Sequence, residues 1–367
     1  LKLQSLNAEA ARPQRSHSAR SLWPGCSRCS PVCARAQIHS EMWRAKDYVT
    51  RGLFLVAASW GGRLSWQLHK DIRARQLLHP ETYPQYADFL RSFSVCIGMI
   101  VAQAVFKRTF AVVARAMIKK KSRWSHPVWG AKVVRCCDAV FKCCYYASMT
   151  LWGFYILRDK PWTPWVLGGR GDTRKCWTDG HPYQPVSDDL RQFYLTAVGY
   201  HLCEVVVHLL EVHAPDFWEM LLHHTVTCFL VSLSYLLNYV RIGSLVMLLH
   251  GATDIFIYAS KAVVDTSFTR LTAVSYFGLL IAYAWFRIFV FPMFVMRSAW
   301  VESVQEAGPD LPAGWSFLNF ALCVLLLLHV YWFGLVIKIG LNFRKTGEAR
   351  DMVSNLSAMD IQDKKKA

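Results

Sequence analysis

The sequence predicts an all-α polytopic membrane protein with about seven transmembrane helices, on three observations. Apolar residues make up 53% of the chain, with 15 Trp and 21 Phe and a mean hydropathy of +0.20, which is too oily for an ordinary soluble enzyme of 367 residues. Seven runs are each long enough to cross the hydrocarbon as a helix, which takes about 20 residues. The Lys and Arg residues behind the net charge of +17 lie between and beyond those runs, where they set membrane orientation. No motif that reads DNA or RNA accompanies the charge, so a nucleic-acid partner is not expected.

Taken in order, residues 1–85 form a basic N-terminal region. Its first forty residues are Ser-rich and almost free of acid, which suits a transit peptide or a disordered tail. Cys26, Cys29 and Cys33 have C-x2-C-x3-C spacing but no fourth ligand at a recognised distance, so no metal site is assigned. The run Leu53 to Ala58 is too short to span and suits the membrane interface. The seven candidate spans are 89–106, 139–157, 193–212, 218–239, 243–264, 272–296 and 316–341, and the membrane domain is drawn at 86–345. Cys136, Cys137, Cys143, Cys144, Cys203, Cys228 and Cys323 lie in or beside these spans and are read as packing residues.

Residues 107–135 carry Lys107, Arg108, Arg115, Lys119, Lys120, Lys121, Arg123, Lys132 and Arg135 with no acid, which marks a cytoplasmic loop between the first two spans. Seven crossings then return the C-terminus to the cytoplasm, in keeping with Arg344, Lys345 and Arg350, while the acidic stretch Glu302 to Asp310 falls on the other side. The tail, 346–367, ends in Lys364, Lys365, Lys366 and Ala367, similar to the dilysine signal of endoplasmic reticulum membrane proteins. Trp162, Trp165 and Trp300, near span ends, are read as interfacial anchors.

An ionisable side chain within a span needs a partner or a use. The fourth and fifth spans, with their connecting turn, hold His223, His224, Asn238, Arg241, His250 and Asp254. If the chain turns near Val240, antiparallel neighbours put His224 and Asp254 within about 3 Å of the same level. A carboxylate beside an imidazole suits general-base or nucleophilic acyl transfer, because the anion stabilises the cation that forms as an amine attacks. Spacing alone does not choose the reaction. His201, Glu204, His208 and Glu211 share one face of the third span and read as a mutually paired polar seam. Arg287, in the sixth, reads equally as a phosphate ligand or as the partner of an acid. The His and Asp residues lack a recognised metal-site spacing, so no metal is expected.

The stretch Asp216-Phe217-Trp218-Glu219-Met220-Leu221-Leu222-His223-His224-Thr225-Val226-Thr227 continues through Ser234-Tyr235, Asn238, Arg241-Ile242-Gly243, Val246, His250, Asp254 and Lys261. It resembles the Lag motif of ceramide synthases within the TLC (TRAM-Lag-CLN) domain. Arg287 to Pro292 resembles the family's R-x4-P, and His181-Pro182-Tyr183-Gln184 its segment before the third span. The resemblance covers roughly residues 110–345 and implies a bundle of six helices around a long cavity open to the cytoplasm. It implies transfer of a fatty acyl group from acyl-CoA to the amine of a sphingoid base, with His223, His224, His250 and Asp254 catalytic. Tyr235, Asn238, Arg241 and Arg287 are expected to bind substrate. Acyl-CoA enters as a substrate, no resident cofactor is implied, and assembly as a homo- or heterodimer is allowed. The segment of about Trp300 to Trp315 corresponds to the loop that influences acyl length in the family.

Two positions depart from the pattern. The family's His-Asp dipeptide reads His250-Gly251, and its L-E-x-A-K reads Ile257-Tyr258-Ala259-Ser260-Lys261. These departures support the alternative of a non-catalytic TLC-domain protein, lipid-sensing or translocon-associated. A transporter using the polar face of the third span is disfavoured, because no pair of inverted or broken spans is evident.

Overall fold

The computed structural model describes residues 65–122, 124–210, 217–307 and 314–346. The chain divides into two units, Leu1–Trp66 and Gln67–Ala367, and the second holds the architecture described below. Cys26, Cys29 and Cys33, the run Leu53 to Ala58, Glu211 and the lysines at 364–366 lie outside the described residues, as do residues 308–313 of the segment between Trp300 and Trp315.

After a helix at 65–78 (α1) come seven long helical segments: α2 (Phe89–Met117), α3 (His126–Leu157), α4 (Asp188–Leu210), α5 (Phe217–Leu236), α6 (Val240–Val263), α7 (Thr269–Ala282) and, beyond the short α8 (Ser303–Ala307), α9 (Trp315–Thr346). No strand occurs among the described residues. Each candidate span falls on one of these seven. Five helices are long and apolar enough to cross a membrane: Tyr86–Met117, Asp188–Leu210, Val240–Val263, Thr269–Glu306 and Trp315–Arg344. The two others explain why a count of seven is not established. α3 carries Lys132, Arg135, Asp138 and Lys142 between its N-terminus and its middle turn, and the apolar part of α5 is only Met220–Leu236.

The basic loop predicted at 107–135 is mostly helical. α2 runs on to Met117 and α3 starts at His126, which leaves only 118–125 as the connection. Lys132 and Arg135 are consequently not free loop cations: both bind Asp265, at the α6–α7 connection, with Lys132 Nζ 2.9 Å from its Oδ1.

Contacts between helices run in a cycle, α2–α3–α6–α7–α9–α5–α4 and back to α2, with α6 also touching α4 and α5 across the middle. Gly199 of α4 permits a close approach to α2. A Cβ there meets the Ser92 carbonyl at 2.6 Å and Val95 at 2.7 Å, so a larger residue would push α2 away.

α7 continues as π-helix over Tyr283–Met296 and Ser298–Glu302. Pro292 has no N–H to give and sits inside this stretch, where wider winding accommodates the missing bond.

At one end of the bundle the 158–187 connection folds into a compact cap. Thr173 Oγ1 donates to Glu302 at 2.7 Å, and Trp177 Nε1 donates to Ser298 at 2.9 Å. Of the expected interfacial tryptophans, Trp165 and Trp300 are exposed, whereas Trp162 is buried beneath Arg241. Every described cysteine is a free thiol. Cys136, Cys137 and Cys203 are buried, while Cys144 is exposed.

Candidate functional site

The α5–α6 hairpin carries the polar residues at two levels. At its turn, Asn238 adopts the left-handed conformation (φ 58°), which Asn tolerates better than most residues. Its amide donates to the carbonyls of Pro182 and Gln184, at 2.6 and 2.9 Å. Arg241 donates to the Lys175 carbonyl at 2.7 Å and to Asp179 at 3.0 Å, with its guanidinium 4.6 Å above the Trp162 ring. Tyr235 is fully buried and its hydroxyl donates to Asp88 at 2.7 Å, which ties α5 to the start of α2. All three side chains fasten the turn to its surroundings. They stand eleven or more residues from the histidine pair along the hairpin, roughly 15–20 Å at helical rise. None of the contacts just described reaches a histidine of the pair.

The histidine level is different. His223 and His224 lie on α5 with rings 5.4 Å apart; His224 is 9% exposed and faces His208 of α4 at 5.6 Å. His223 meets Trp332 of α9 edge-to-face at 5.2 Å. Among the described residues no hydrogen bond engages the ring nitrogens of either histidine, and none of these nitrogens is both buried and unpartnered, so they keep accessible surface. On α4, His208 Nε2 bonds the Phe217 carbonyl at 2.9 Å, while Glu204 forms an ion pair with Lys142 of α3. Glu204 and His208 of the polar face of α4 are therefore paired outward, to neighbouring helices, and not with each other.

Asp254 is where the level arithmetic misleads. Its Oδ1 accepts from Arg287 at 2.5 Å, and among the described residues no histidine donates to it. Helical rise fixed its height, but azimuth decides its partner. The face of α6 that bears His250 and Asp254 turns to the π-wound part of α7 and to α9, not to α5. Arg287, 6% exposed, also lies 3.5 Å from the His250 carbonyl and 5.1 Å from the Tyr283 ring centre. Of the two uses considered for Arg287, the structure shows pairing with an acid. A charge buried this deep is tolerable only with such a partner.

His250 has both ring nitrogens engaged. Nδ1 is 2.7 Å from the Val246 carbonyl and Nε2 is 3.0 Å from Nε2 of His329. His329, 0% exposed, and Trp332 were missed in the sequence. A lone His in the run Leu325 to Val330 was the available signal, since a span that admits an imidazole must partner it.

The two departures from the Lag pattern are built into the packing. A Cβ on Gly251 would stand 2.7 Å from Thr150 Oγ1 of α3, so the site of an aspartate side chain is filled. Tyr258 stacks on Tyr146 at 5.4 Å and lies beneath the Lys142 ammonium, 5.7 Å away. Among the described residues no three His, Cys, Asp or Glu side chains are grouped to hold a metal ion.

The chain belongs to the TLC-domain family, whose model matches residues 135–338 and takes in six of the seven long helices. Among curated proteins it is similar to Ceramide synthase hyl-1 of Caenorhabditis elegans, 26% identical over 80% of this chain and 84% of that one. It is also 30% identical to Ceramide synthase 4 of Bos taurus, over 62% of this chain and 56% of the relative. Ceramide synthase 5 of Homo sapiens is 30% identical over 56% of this chain and 50% of the relative. The chain thus spans about half the length of the latter two.

Proposed function

We propose that this protein is a ceramide synthase that transfers a fatty acyl group from acyl-CoA to the amine of a sphingoid base. The observation that carries the reading is the pair His223 and His224, adjacent, inside a membrane bundle, with ring nitrogens left open. An imidazole with a free nitrogen is either a nucleophile or a base. As nucleophile it attacks the thioester carbonyl and expels the CoA thiolate; the amine then attacks the acyl-imidazole, forms the amide and returns the ring. As base it takes the ammonium proton so that the neutral amine attacks the thioester directly. Intact-mass analysis during a single turnover separates the routes, since only the first leaves an acyl adduct on the chain.

Asp254 contributes through Arg287 in this reading, by keeping a guanidinium fixed and neutralised beside His250. Acyl-CoA and the sphingoid base are the small-molecule partners, without a resident cofactor. The setting is the endoplasmic reticulum membrane with a cytoplasmic C-terminus, alone or as a dimer. The test is N-acylation of sphinganine by detergent-solubilised protein with a panel of acyl-CoAs, comparing wild type with His223→Ala and His224→Ala. Product that disappears in both variants supports the enzyme. No product from folded wild type across the panel favours the second reading, a non-catalytic TLC-domain protein, for which the observation is Thr150 occupying the place of an aspartate beside Gly251.

A further inference from the structure

α9 enters the site with a histidine that neither route of acyl transfer uses. His329 is fully buried in an otherwise apolar stretch, and an imidazole there needs a partner. That partner is His250, Nε2 to Nε2 at 3.0 Å. A contact between two imidazole nitrogens requires one hydrogen between them, and the surroundings decide whose it is. The Val246 carbonyl only accepts, so at 2.7 Å it fixes the hydrogen of His250 on Nδ1. In the neutral ring Nε2 of His250 is then a bare acceptor, and the bridging hydrogen belongs to His329. Nδ1 of His329 makes no hydrogen bond of good geometry and is the remaining lone pair. One backbone carbonyl thus sets the tautomers of two rings on two helices.

Phe291 of the π segment, 0% exposed, packs edge-on to both imidazoles at 5.6 and 5.1 Å and keeps water from competing for the bridge. Three residues beyond His329, on the same face of α9, Trp332 stands against His223. The same face of α9 therefore holds one histidine of α6 and one of α5.

We infer that His329 is a positioning residue of the acyl-transfer site, acting by donating its Nε2 hydrogen to His250. The inference rests on the proposed acyl transfer. His250 is held by the Val246 carbonyl, by His329 and, through its own backbone, by Arg287. Without the donor its ring is free to turn, the contact between α9 and α6 slackens, and Trp332 no longer fixes His223. Misplacement of reacting groups by about 1 Å costs on the order of 100-fold in rate. Substrate affinity, which rests on the length of the acyl and sphingoid chains, is largely spared.

The test compares His329→Gln, which keeps an N–H donor, with His329→Leu, which has similar bulk and none, in the purified full chain. His329→Leu is expected to lower kcat about 100-fold and to leave KM within about twofold, the signature of an interaction made in the reaction and not in binding. His329→Gln is expected to restore kcat to within about fivefold of wild type, since its side-chain amide supplies the donor. Equal impairment of the two variants, or a wild-type kcat in His329→Leu, overturns the inference. If His329→Leu does not fold, as judged by gel filtration and melting, His329→Met serves as the donor-free comparison.

A wild-type chain that makes no product overturns the acyl-transfer reading instead. The bridge is then decided without activity, by nitrogen-15 spectra of ring-labelled histidine. A His250 signal unchanged between wild type and His329→Leu overturns the bridge, whereas a change in His329→Leu that His329→Gln does not show upholds it.

Discussion

The two ends of the α5–α6 hairpin use similar residues to opposite effect. At the turn, Tyr235, Asn238 and Arg241 each find a fixed partner in Asp88, the Pro182 and Gln184 carbonyls, or Asp179 and the Lys175 carbonyl. Deeper in the bundle, His223 and His224 have ring neighbours but no hydrogen-bond partner among the described residues. A polar side chain whose bonds are all made is part of the framework. One left open in a space where open polar groups are costly is kept for something that arrives later. On the proposed function, the contrast separates scaffold from chemistry within one continuous motif.

The sharpest way to break that contrast is to remove the open rings. His223→Ala and His224→Ala are each expected to lower N-acylation about 100- to 10,000-fold, the usual range for a lost general base or nucleophile, while the melting temperature in detergent stays within a few degrees. A melting temperature that collapses with the activity would place the histidines in the framework after all. Next in size is the buried ion pair. Arg287→Met strands Asp254 and is expected to destabilise the fold by about 3–5 kcal/mol. The double variant Arg287→Met, Asp254→Leu is expected to recover much of the melting temperature without recovering activity, which denaturant titration and the acylation assay read separately.

Much of this was legible in the sequence, and the limits of legibility are physical. Apolar runs gave every long helix, because crossing length and hydropathy are properties of a single segment. They did not give its ends: the loop expected at 107–135 became two helical extensions, since Lys and Arg are good helix formers and end a span without ending a helix. The rise per residue gives an expected level for Asp254 relative to His224, but it does not give its partner Arg287. Which way a helix faces depends on every neighbour at once, and the π winding around Pro292 changes the rotation of α7 in a manner that periodicity does not encode. His329 was legible in principle, as a lone imidazole in an apolar helix, yet its partner lies seventy-nine positions away.

The turn end sharpens the comparison with smaller effects. Asn238→Ala removes two hydrogen bonds to buried carbonyls and puts a residue without Asn's tolerance at φ 58°, an expected cost of about 2–3 kcal/mol. The kcat of the folded fraction is expected to stay near wild type, in contrast to the histidine variants. A large loss of kcat at full stability would return Asn238 to the substrate.

The smallest effect belongs to His181, in the cap that Asn238 secures. Its ring packs edge-on to Trp177 at 5.1 Å and Tyr239 at 5.3 Å, and burial pushes its pKa down to about 4; the Gln184 side chain opposes this, and Arg241 and Arg75 add to it. The unfolded chain takes up this proton near the ordinary histidine value of about 6.5, while the folded chain does not until about pH 4. Between those values the unfolded state binds more protons, so stability falls as the pH falls. The full contribution is present above about pH 6.5, and the loss by pH 5 is about 2 kcal/mol. His181→Phe keeps the aromatic contacts and removes the proton, so its stability is expected to depend less on pH than that of wild type over this window. Chemical denaturation at pH 7 and pH 5 measures the difference: equal slopes in the two proteins would mean that the cap admits water to the ring, and that the turn end of the hairpin is less closed than its hydrogen bonds imply.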